Sequence, residues 1–302
     1  MFRPLTTLAA CLFVGITSVE NARGEVPGEV VRFKTSDSIE IVGDYIAPPR
    51  SKSPAPCVVL VHMLRVDRSS WAPMIPKLHK AGLAVLSIDL RGHGDSGAPQ
   101  RDEMRRRAAE QDVSLFHEMH RDVEAAVSWL VGREEVDKTR LALIGATVGF
   151  SVALDYATHD PSIDVIVGLT PGSGYVGMDS VSGALMYGKR PMLLLAVETD
   201  SRATETISRM NPMIEVNIVG SGTGHGTRML TQYEKTPGEI IDYVLSNLGE
   251  PSSSPVVFEF GDREFYTSMG ALRNARPDQD GKVLRWCSSA GEAENRGLSA
   301  AH

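Results

Sequence analysis

The sequence is poor in cysteine, which excludes the small folds that depend on several disulfides. Only Cys11, Cys57 and Cys287 occur in 302 residues, whereas disulfide scaffolds carry cysteine at high density. Cys57 begins an apolar run, so it is expected as a small core side chain or as the partner of Cys287 in a single disulfide. The length is sufficient for one large domain with a small appendage.

An excess of positive charge is also missing. The formal net charge is -7, which argues against a nucleic-acid partner attracted by overall charge. The one basic cluster, Arg105 to Arg107, lies among acidic residues and is typical of a solvated helix face. No nucleic-acid partner is therefore expected.

Long apolar runs are absent after the N-terminus, so no integral membrane span is predicted. Residues Leu5 to Val19 are mostly apolar and follow Arg3, and small residues lie at Ala22 and Gly24. This pattern predicts a signal peptide over residues 1–24 and export to the periplasm or the medium. A lipoprotein box ending at Cys11 is the alternative, although Cys11 lies early and the apolar run continues past it.

Strand-like and helix-like segments alternate along most of the chain. Helical patterns begin near Trp71 and cover Ser114 to Leu130, while short apolar runs indicate strands. Such alternation predicts a mostly parallel α/β sheet with helices on both faces. The expected strands are Val30–Lys34, Ile39–Ile46, Cys57–His62, Leu83–Leu90, Leu141–Ile144, Val165–Leu169, Met192–Val197 and Ile214–Val219.

The stretch "RLALIGATVGFSVALDYA" (140–157) combines a strand, a Gly-x-x-x-Gly turn and a helix from Val148. This is the layout of a turn that presents a nucleophile, but its central residue is Thr147 instead of serine. Asp200 and His225 each follow a later strand. The carboxyl ends of parallel strands share one edge of a sheet, so the three side chains are expected together there.

Residues 30–248 resemble the α/β-hydrolases, in particular their dienelactone-hydrolase-like members. The motifs that carry the resemblance are "VVLVHMLRVDRSSW", "LSIDLRGHGDSG", "LALIGATVGF", "LLLAVETDS" and "GTGHGTRML". The resemblance implies an eight-stranded sheet, hydrolysis of esters or related acyl compounds, and no cofactor. It also implies a minimal or absent lid, because the segment between Pro171 and Pro191 is short.

The resemblance assigns roles to particular residues. His225 would be the general base, and Asp200 its carboxylate partner, with Glu198 as the alternative acid. The backbone N–H groups of Met63 and Val148 would form the oxyanion hole. Leu64 and Trp71 are candidate walls of the substrate pocket, although Trp71 serves equally well as a core anchor for the helix after it.

Thr147 departs from the family pattern, since the elbow normally holds serine. The turn requires a positive φ, which is unfavourable for a β-branched residue. Threonine is nevertheless a competent nucleophile when a base is at hand. Two functions therefore stay open: a hydrolase that uses a Thr147–His225–Asp200 triad, and a catalytically silent protein that binds a small acyl ligand or a protein partner.

The run "GEPSSSPVV" predicts a linker that ends the main domain (25–249). Residues 250–302 are expected to be a small module or a tail, and truncation after Gly249 to leave a folded domain. The segment resembles the zinc module of bacterial alkylation-response regulators. It has Tyr266, Gly270 and Ala301 where that module has ligands, and Cys287 where it has an aromatic residue, so no metal is expected.

Overall fold

The computed structural model describes residues 28–276 and 282–301. The predicted signal peptide and Cys11 lie outside the described residues. The strands are β1 Glu29–Lys34, β2 Glu40–Ile46, β3 Ala55–Val61, β4 Ala84–Ile88, β5 Val136–Ala146, β6 Ile163–Leu169, β7 Gly174–Tyr175, β8 Met178–Asp179, β9 Met192–Ala196, β10 Ile214–Ile218, β11 Val256–Glu259, β12 Glu264–Tyr266, β13 Leu284–Cys287 and β14 Ser299–Ala300. The α-helices are α1 Ile75–Lys80, α2 Arg101–Ala109, α3 Val113–Glu118, α4 His120–Val131, α5 Val148–His159, α6 Ser180–Tyr187, α7 Ser201–Ser208, α8 Met229–Gln232, α9 Thr236–Leu248, α10 Met269–Ala275 and α11 Ala290–Asn295.

An eight-stranded sheet with the order β1-β2-β4-β3-β5-β6-β9-β10 forms the centre of the molecule. Strand β2 runs antiparallel to both of its neighbours. Every pair from β4 to β10 is parallel. The predicted fold, a mostly parallel eight-stranded sheet, is confirmed, and all eight expected strands are present.

Helices cover both faces of this sheet, as the continuous apolar runs of its strands require. Side chains of β3 alternate between two cores: Cys57, Val59 and Val61 join one core, and Val58 and Leu60 join the other. Helices α4 and α5 contribute to the first core, and α1 and α9 to the second. All seven residues of β3 are buried, so this strand forms a rigid base for the loop that follows it.

Two predicted helices differ from the observed ones. The helix expected from Trp71 is a 3-10 turn, Arg68–Trp71, followed by α1. Pro73 and Pro76 lie in this stretch and have no N–H group to donate, so a continuous helix cannot form there. The helix expected over Ser114–Leu130 is divided into α3 and α4 at Met119. The apolar face predicted for it is nevertheless buried.

The segment between β6 and β9 holds the β7–β8 hairpin and the eight-residue α6. Helix α6 packs on α5, and the hydroxyl groups of Ser151 and Ser180 are 2.9 Å apart. The segment is therefore part of the fold's own layer, in agreement with the minimal lid expected from the sequence. In the part of the chain that the structure describes, no helix has the length and apolar character needed to cross a membrane.

Residues 256–301 form a second, four-stranded sheet in the order β13-β11-β12-β14, together with α10 and α11. This C-terminal module is joined to the main domain by two buried ion pairs. Arg285 Nε lies 2.7 Å from Asp160 Oδ2, and Arg296 lies 2.6 Å from Asp164 Oδ1. Truncation after Gly249 would remove both arginines from these carboxylates and uncover the surface that the module covers. That the main domain folds alone stays a prediction.

Cys57 and Cys287 are free thiols, both buried, so the disulfide considered from the sequence is not formed. Cys57 lies within β3, where it packs in the core. Cys287 lies in β13 of the C-terminal module, where its Sγ is 3.9 Å from the Pro161 carbonyl oxygen. Burial raises the pKa of both thiols, which keeps them protonated and unreactive.

Candidate active site

Thr147 occupies the sharp turn between β5 and α5. Its backbone has φ 48° and ψ -115°, and its N–H group donates to the Leu169 carbonyl at 2.9 Å. The side chain is almost completely buried. A non-glycine residue in this conformation costs about 1–3 kcal/mol. The strained turn that the sequence predicts at position 147 is therefore present.

Two glycines allow this turn to close. A methyl group at Gly145 would lie 2.4 Å from the Cα of Phe150, and one at Gly149 would lie 2.3 Å from the His62 carbonyl oxygen. The absence of side chains at these positions brings the start of α5 against the end of β3. Val148 and Met63, the candidate oxyanion donors, consequently lie on adjoining segments. Their joint action on an oxyanion stays a prediction.

His62 holds the loop that contains Met63. Its Nδ1 lies 2.8 Å from the Met63 carbonyl oxygen, and its Nε2 accepts the Leu90 N–H at 3.0 Å. Burial lowers the pKa of His62 to about 4. The ring is therefore neutral, with its proton on Nδ1, and donates to Met63. This role of His62 was not predicted from the sequence, although its position directly after a buried strand was a signal for it.

The predicted acid and base form a hydrogen-bonded pair. His225 Nδ1 lies 2.9 Å from Asp200 Oδ2, and both side chains are about half exposed. Asp200 ends the turn after β9, and His225 lies in the loop after β10. Among the described residues, His225 bonds to Asp200 and not to the alternative acid Glu198. Since the carboxylate accepts from Nδ1–H, Nε2 is left free to take a proton.

The Thr147 side chain does not complete the triad geometry. Its methyl carbon would lie 3.2 Å from a Cβ atom at Gly226, so the methyl group faces the residue directly after His225. Within the described chain, the Thr147 hydroxyl has no hydrogen-bond partner, and it is not sealed from solvent. The hydroxyl therefore opens into the cavity without a bond to the His225 ring.

A cavity of about 610 Å³ contains Thr147, Asp200 and His225. Its other walls are small or polar, except for Tyr175. Neither Leu64 nor Trp71 is among the described residues that line it. Trp71 is fully buried in the core and Leu64 packs against the core, so Trp71 acts as the core anchor. The remaining lining residues are Thr170, Pro171, Gly172, Ser173, Tyr175, Thr199, Arg202, Ala203 and Thr206.

Thr170 and Arg202 are two of the cavity residues that were not identified from the sequence. Thr170 follows β6, and its Oγ1 accepts the Gly226 N–H at 3.0 Å. Arg202 is exposed in the first turn of α7 and makes no ion pair with any described residue. Thr170 could have been found, because every residue that directly follows a parallel strand lies at the same sheet edge. Arg202 had no comparable signal.

A larger cleft, of about 1450 Å³, lies between the main domain and the C-terminal module. Three histidines line it, His117, His120 and His159, but Thr147 and His225 do not. No group of three or more potential metal ligands occurs in residues 28–276 and 282–301. The smaller cavity is the one that holds groups capable of acyl transfer, so we assign the candidate active site to it.

The fold and the arrangement of Thr147, Asp200 and His225 on one sheet edge define an α/β-hydrolase architecture. Residues 52–209, just over half of the chain, match the family described as serine aminopeptidase S33 (Hydrolase_4), and the chain belongs to this family. The matched region includes Thr147 and Asp200 and ends before His225.

Two uncharacterized proteins of Mycobacterium tuberculosis, from different strains, are each 32% identical to this chain over 181 residues. The matched region covers 60% of this chain and 57% of each relative. The chain thus matches little more than half the length of these relatives.

Solved structures show the same fold at lower identity. An esterase from Pyrococcus furiosus has a TM-score of 0.57 and 20% identity, covering 74% of this chain and 92% of the esterase. An enol-lactonase from Burkholderia xenovorans has a TM-score of 0.55 and 14% identity, covering 71% of this chain and all of the lactonase. These structural similarities establish the fold.

Proposed function

We propose that this chain is an exported hydrolase of carboxylic esters or related acyl compounds, with Thr147 as nucleophile, His225 as general base and Asp200 as the carboxylate that orients it. The observation that carries the proposal is the 2.9 Å contact between His225 Nδ1 and Asp200 Oδ2 in a cavity that Thr147 also lines. Export rests on the signal-peptide pattern of residues 1–24.

The reaction has two halves. In the first, Thr147 Oγ1 attacks the acyl carbon while its proton passes to His225 Nε2. The leaving alcohol takes that proton as the carbon–oxygen bond breaks, which leaves an acyl-threonine ester. In the second half, water attacks the acyl carbon of this ester while one of its protons passes to His225 Nε2. The bond between the acyl carbon and Thr147 Oγ1 then breaks, Oγ1 takes that proton, and the carboxylic acid is released. The N–H groups of Met63 and Val148 would stabilise the oxyanion in both halves.

A rotation about the Cα–Cβ bond of Thr147 would bring its hydroxyl into position for this chemistry. Staggered side-chain positions are about 120° apart, so one rotation exchanges the methyl group that faces Gly226 for the hydroxyl. The hydroxyl would then lie on the side of His225. The cost of this rotation is the physical reason to expect slow turnover.

The cavity favours a small acyl group with polar or anionic character. Its walls are mostly small or polar, and the exposed Arg202 has no ion-pair partner among the described residues. A cation in the first turn of a helix interacts unfavourably with the helix dipole. The presence of Arg202 in the first turn of α7 therefore supports a function in binding an anionic ligand. Replacing Arg202 by Gln should lower kcat/KM for a hemisuccinate ester about tenfold, since a charge-assisted contact contributes about 1.5–3 kcal/mol, and leave a neutral acetate ester unchanged.

A second function is favoured by one observation. The methyl group of Thr147, instead of its hydroxyl, faces the loop that carries His225. This is the arrangement expected of a catalytically silent protein that uses the same cavity to bind a small acyl ligand.

An acylation experiment separates the two functions. The protein is incubated with a fluorophosphonate and with short p-nitrophenyl esters, and the modified residue is identified by peptide mass spectrometry. We expect a covalent adduct on Thr147, absent in Thr147→Val, which keeps the branched shape without the hydroxyl. An unlabelled protein that releases no p-nitrophenol, together with saturable binding of a short acyl acid, would establish the silent binder instead.

A further inference from the structure

The loop before His225 is built around one aromatic ring. Methyl groups at Gly220, Gly222 and Gly224 would each lie 2.5–2.6 Å from an atom of the Tyr233 side chain. The Tyr233 hydroxyl also accepts the Gly222 N–H at 3.0 Å. The alternating glycines of "GSGTGHG" therefore allow the backbone to wrap around Tyr233, which fixes the chain on the N-terminal side of His225.

The C-terminal side of His225 is fixed by Thr170. The Gly226 N–H group donates to Thr170 Oγ1 at 3.0 Å. Thr170 is 5% exposed and has a positive φ of 49°. Its own N–H group donates to the Leu195 carbonyl at 2.7 Å. The acceptor is therefore held by the backbone of the central sheet.

Little other space is available to Gly226. A methyl group on it would lie 2.6 Å from Met63 Sδ, so the loop already rests against the end of β3. Within the described residues, the N–H of Gly226 has Thr170 Oγ1 as its hydrogen-bond acceptor. The loss of that acceptor would leave a buried donor unsatisfied, which favours displacement of the loop.

His225 itself is held by few contacts. Its side chain is 46% exposed, and its hydrogen bond is to Asp200, which is 44% exposed. Water competes for both groups at this exposure. The direction of the imidazole ring therefore depends on the backbone on each side of it.

We propose that Thr170 and Tyr233 are positioning residues that clamp the backbone on either side of His225 and so aim its Nε2 at position 147. The effect of this clamp on catalysis rests on the proposed function. The clamp itself consists of two contacts that fix the loop backbone, and it does not depend on that function. Thr170 joins the loop to β6 and Tyr233 joins it to α8, so the two contacts act on the loop from different elements.

Matched variants test the clamp. Thr170→Val keeps the branched shape and removes the acceptor, Thr170→Ser retains the acceptor, and Tyr233→Phe keeps the ring and removes the hydroxyl. Thr158→Val is the control, because Thr158 bonds the Asp155 carbonyl within α5 and is remote from the loop. All are made in the full chain, with natural Thr147 and, in parallel, with Thr147→Ser.

The first readout needs no turnover. We expect the Gly226 amide proton to exchange at least about tenfold faster in Thr170→Val than in the natural protein, since a hydrogen bond contributes about 1.4 kcal/mol and this is a factor of ten. Long-range proton–nitrogen spectra should show His225 with its proton on Nδ1 in the natural protein and Thr170→Ser, and a mixture of tautomers in Thr170→Val. Unchanged exchange and an unchanged tautomer in Thr170→Val would overturn the clamp.

The second readout is kinetic. Thr170→Val should lower kcat about tenfold to a hundredfold with KM nearly constant, because misplacement of a catalytic group by about an ångström has an effect of that size. Thr170→Ser should recover most of the rate, and Tyr233→Phe should show a smaller loss. A kcat that stays constant in Thr170→Val while its Gly226 amide is exposed would reduce Thr170 to a structural role. Full activity in His225→Ala would reject the proposed function itself, and the exchange and tautomer measurements would still decide the clamp.

Discussion

Removal of one methyl group from the candidate nucleophile, Thr147, should accelerate ester hydrolysis by this protein. In Thr147→Ser the hydroxyl can take the position that faces Gly226, which the threonine methyl occupies in the structure. Threonine must rotate its side chain, at a cost in free energy, to place its hydroxyl on the side of Gly226. Serine can place its hydroxyl there without this cost. If this cost is about 1.4 kcal/mol, about one tenth of the threonine molecules are competent, and the substitution raises kcat about tenfold.

The increase in kcat for Thr147→Ser can exceed this value, because the methyl group acts in two ways. It restricts the hydroxyl, and after rotation it must itself occupy another site next to the oxyanion donors or the cavity. Displacement of the reacting atoms by about an ångström adds up to a hundredfold. Stability should not fall, since serine tolerates the backbone conformation at φ 48° at least as well as a β-branched residue does.

Initial rates on p-nitrophenyl acetate and butyrate measure the effect, with the active-site concentration titrated by the fluorophosphonate. Thr147→Val is the matched inactive control, and thermal unfolding followed by circular dichroism measures stability. A serine variant that is no faster than the natural protein, while His225→Ala slows both, would refute the argument from the methyl group. If the serine variant and the natural protein are both inert, the silent binder is the better description.

Three further predictions concern other parts of the chain. His225→Ala should reduce ester hydrolysis at least about a hundredfold, as expected for a general base, and undiminished turnover would remove His225 from the mechanism. Arg285→Gln should lower the free energy of unfolding, measured in urea, by about 3 kcal/mol, because it leaves the fully buried Asp160 without its ion-pair partner. Arg273→Gln, at an exposed position, is the control. Equal losses in the two variants would contradict a stabilising role for Arg285. Burial and, to a smaller extent, the neighbouring His62 lower the pKa of His93 to about 4. Between about pH 6.5 and pH 4, the unfolded chain therefore binds a proton at this histidine and the folded protein does not. The stability advantage of the natural protein over His93→Gln should therefore shrink by about 2 kcal/mol between pH 7 and pH 4.5, and a constant difference in urea titrations would disprove it.

Much of the fold and part of the site follow from the sequence. The eight strands are visible because each is a short apolar run, and a strand buried on both faces needs such a run wherever its neighbours lie. Thr147, Asp200 and His225 were found by the same local logic, since each lies in the turn or loop after one of these strands and parallel strands end at one edge. Gly145 and Gly149 were also readable, because only residues without side chains allow that turn to close.

Tertiary structure decided the features that depend on contacts between distant segments. Trp71 could equally be a pocket wall or a core anchor from its sequence context, and its complete burial assigns it to the core. The polar residues 250–302 resembled a tail as much as a module, until two arginines were seen to neutralise Asp160 and Asp164 in the main domain. A buried ion pair leaves no periodic signal, because its partners are separated by more than a hundred residues and are related only by the packing of the chain.

The rotamer of Thr147 and the hydrogen bond accepted by Thr170 also depend on contacts between distant segments. Both depend on the distance between the loop after β10 and the ends of β5 and β6. That distance is set by the complete sheet and by the Tyr233 ring beneath the loop. The sequence by itself determined which groups can react, because strand patterns place them at one edge. The packing of that edge decided how they face one another, because side-chain direction is set by neighbours that local patterns do not specify.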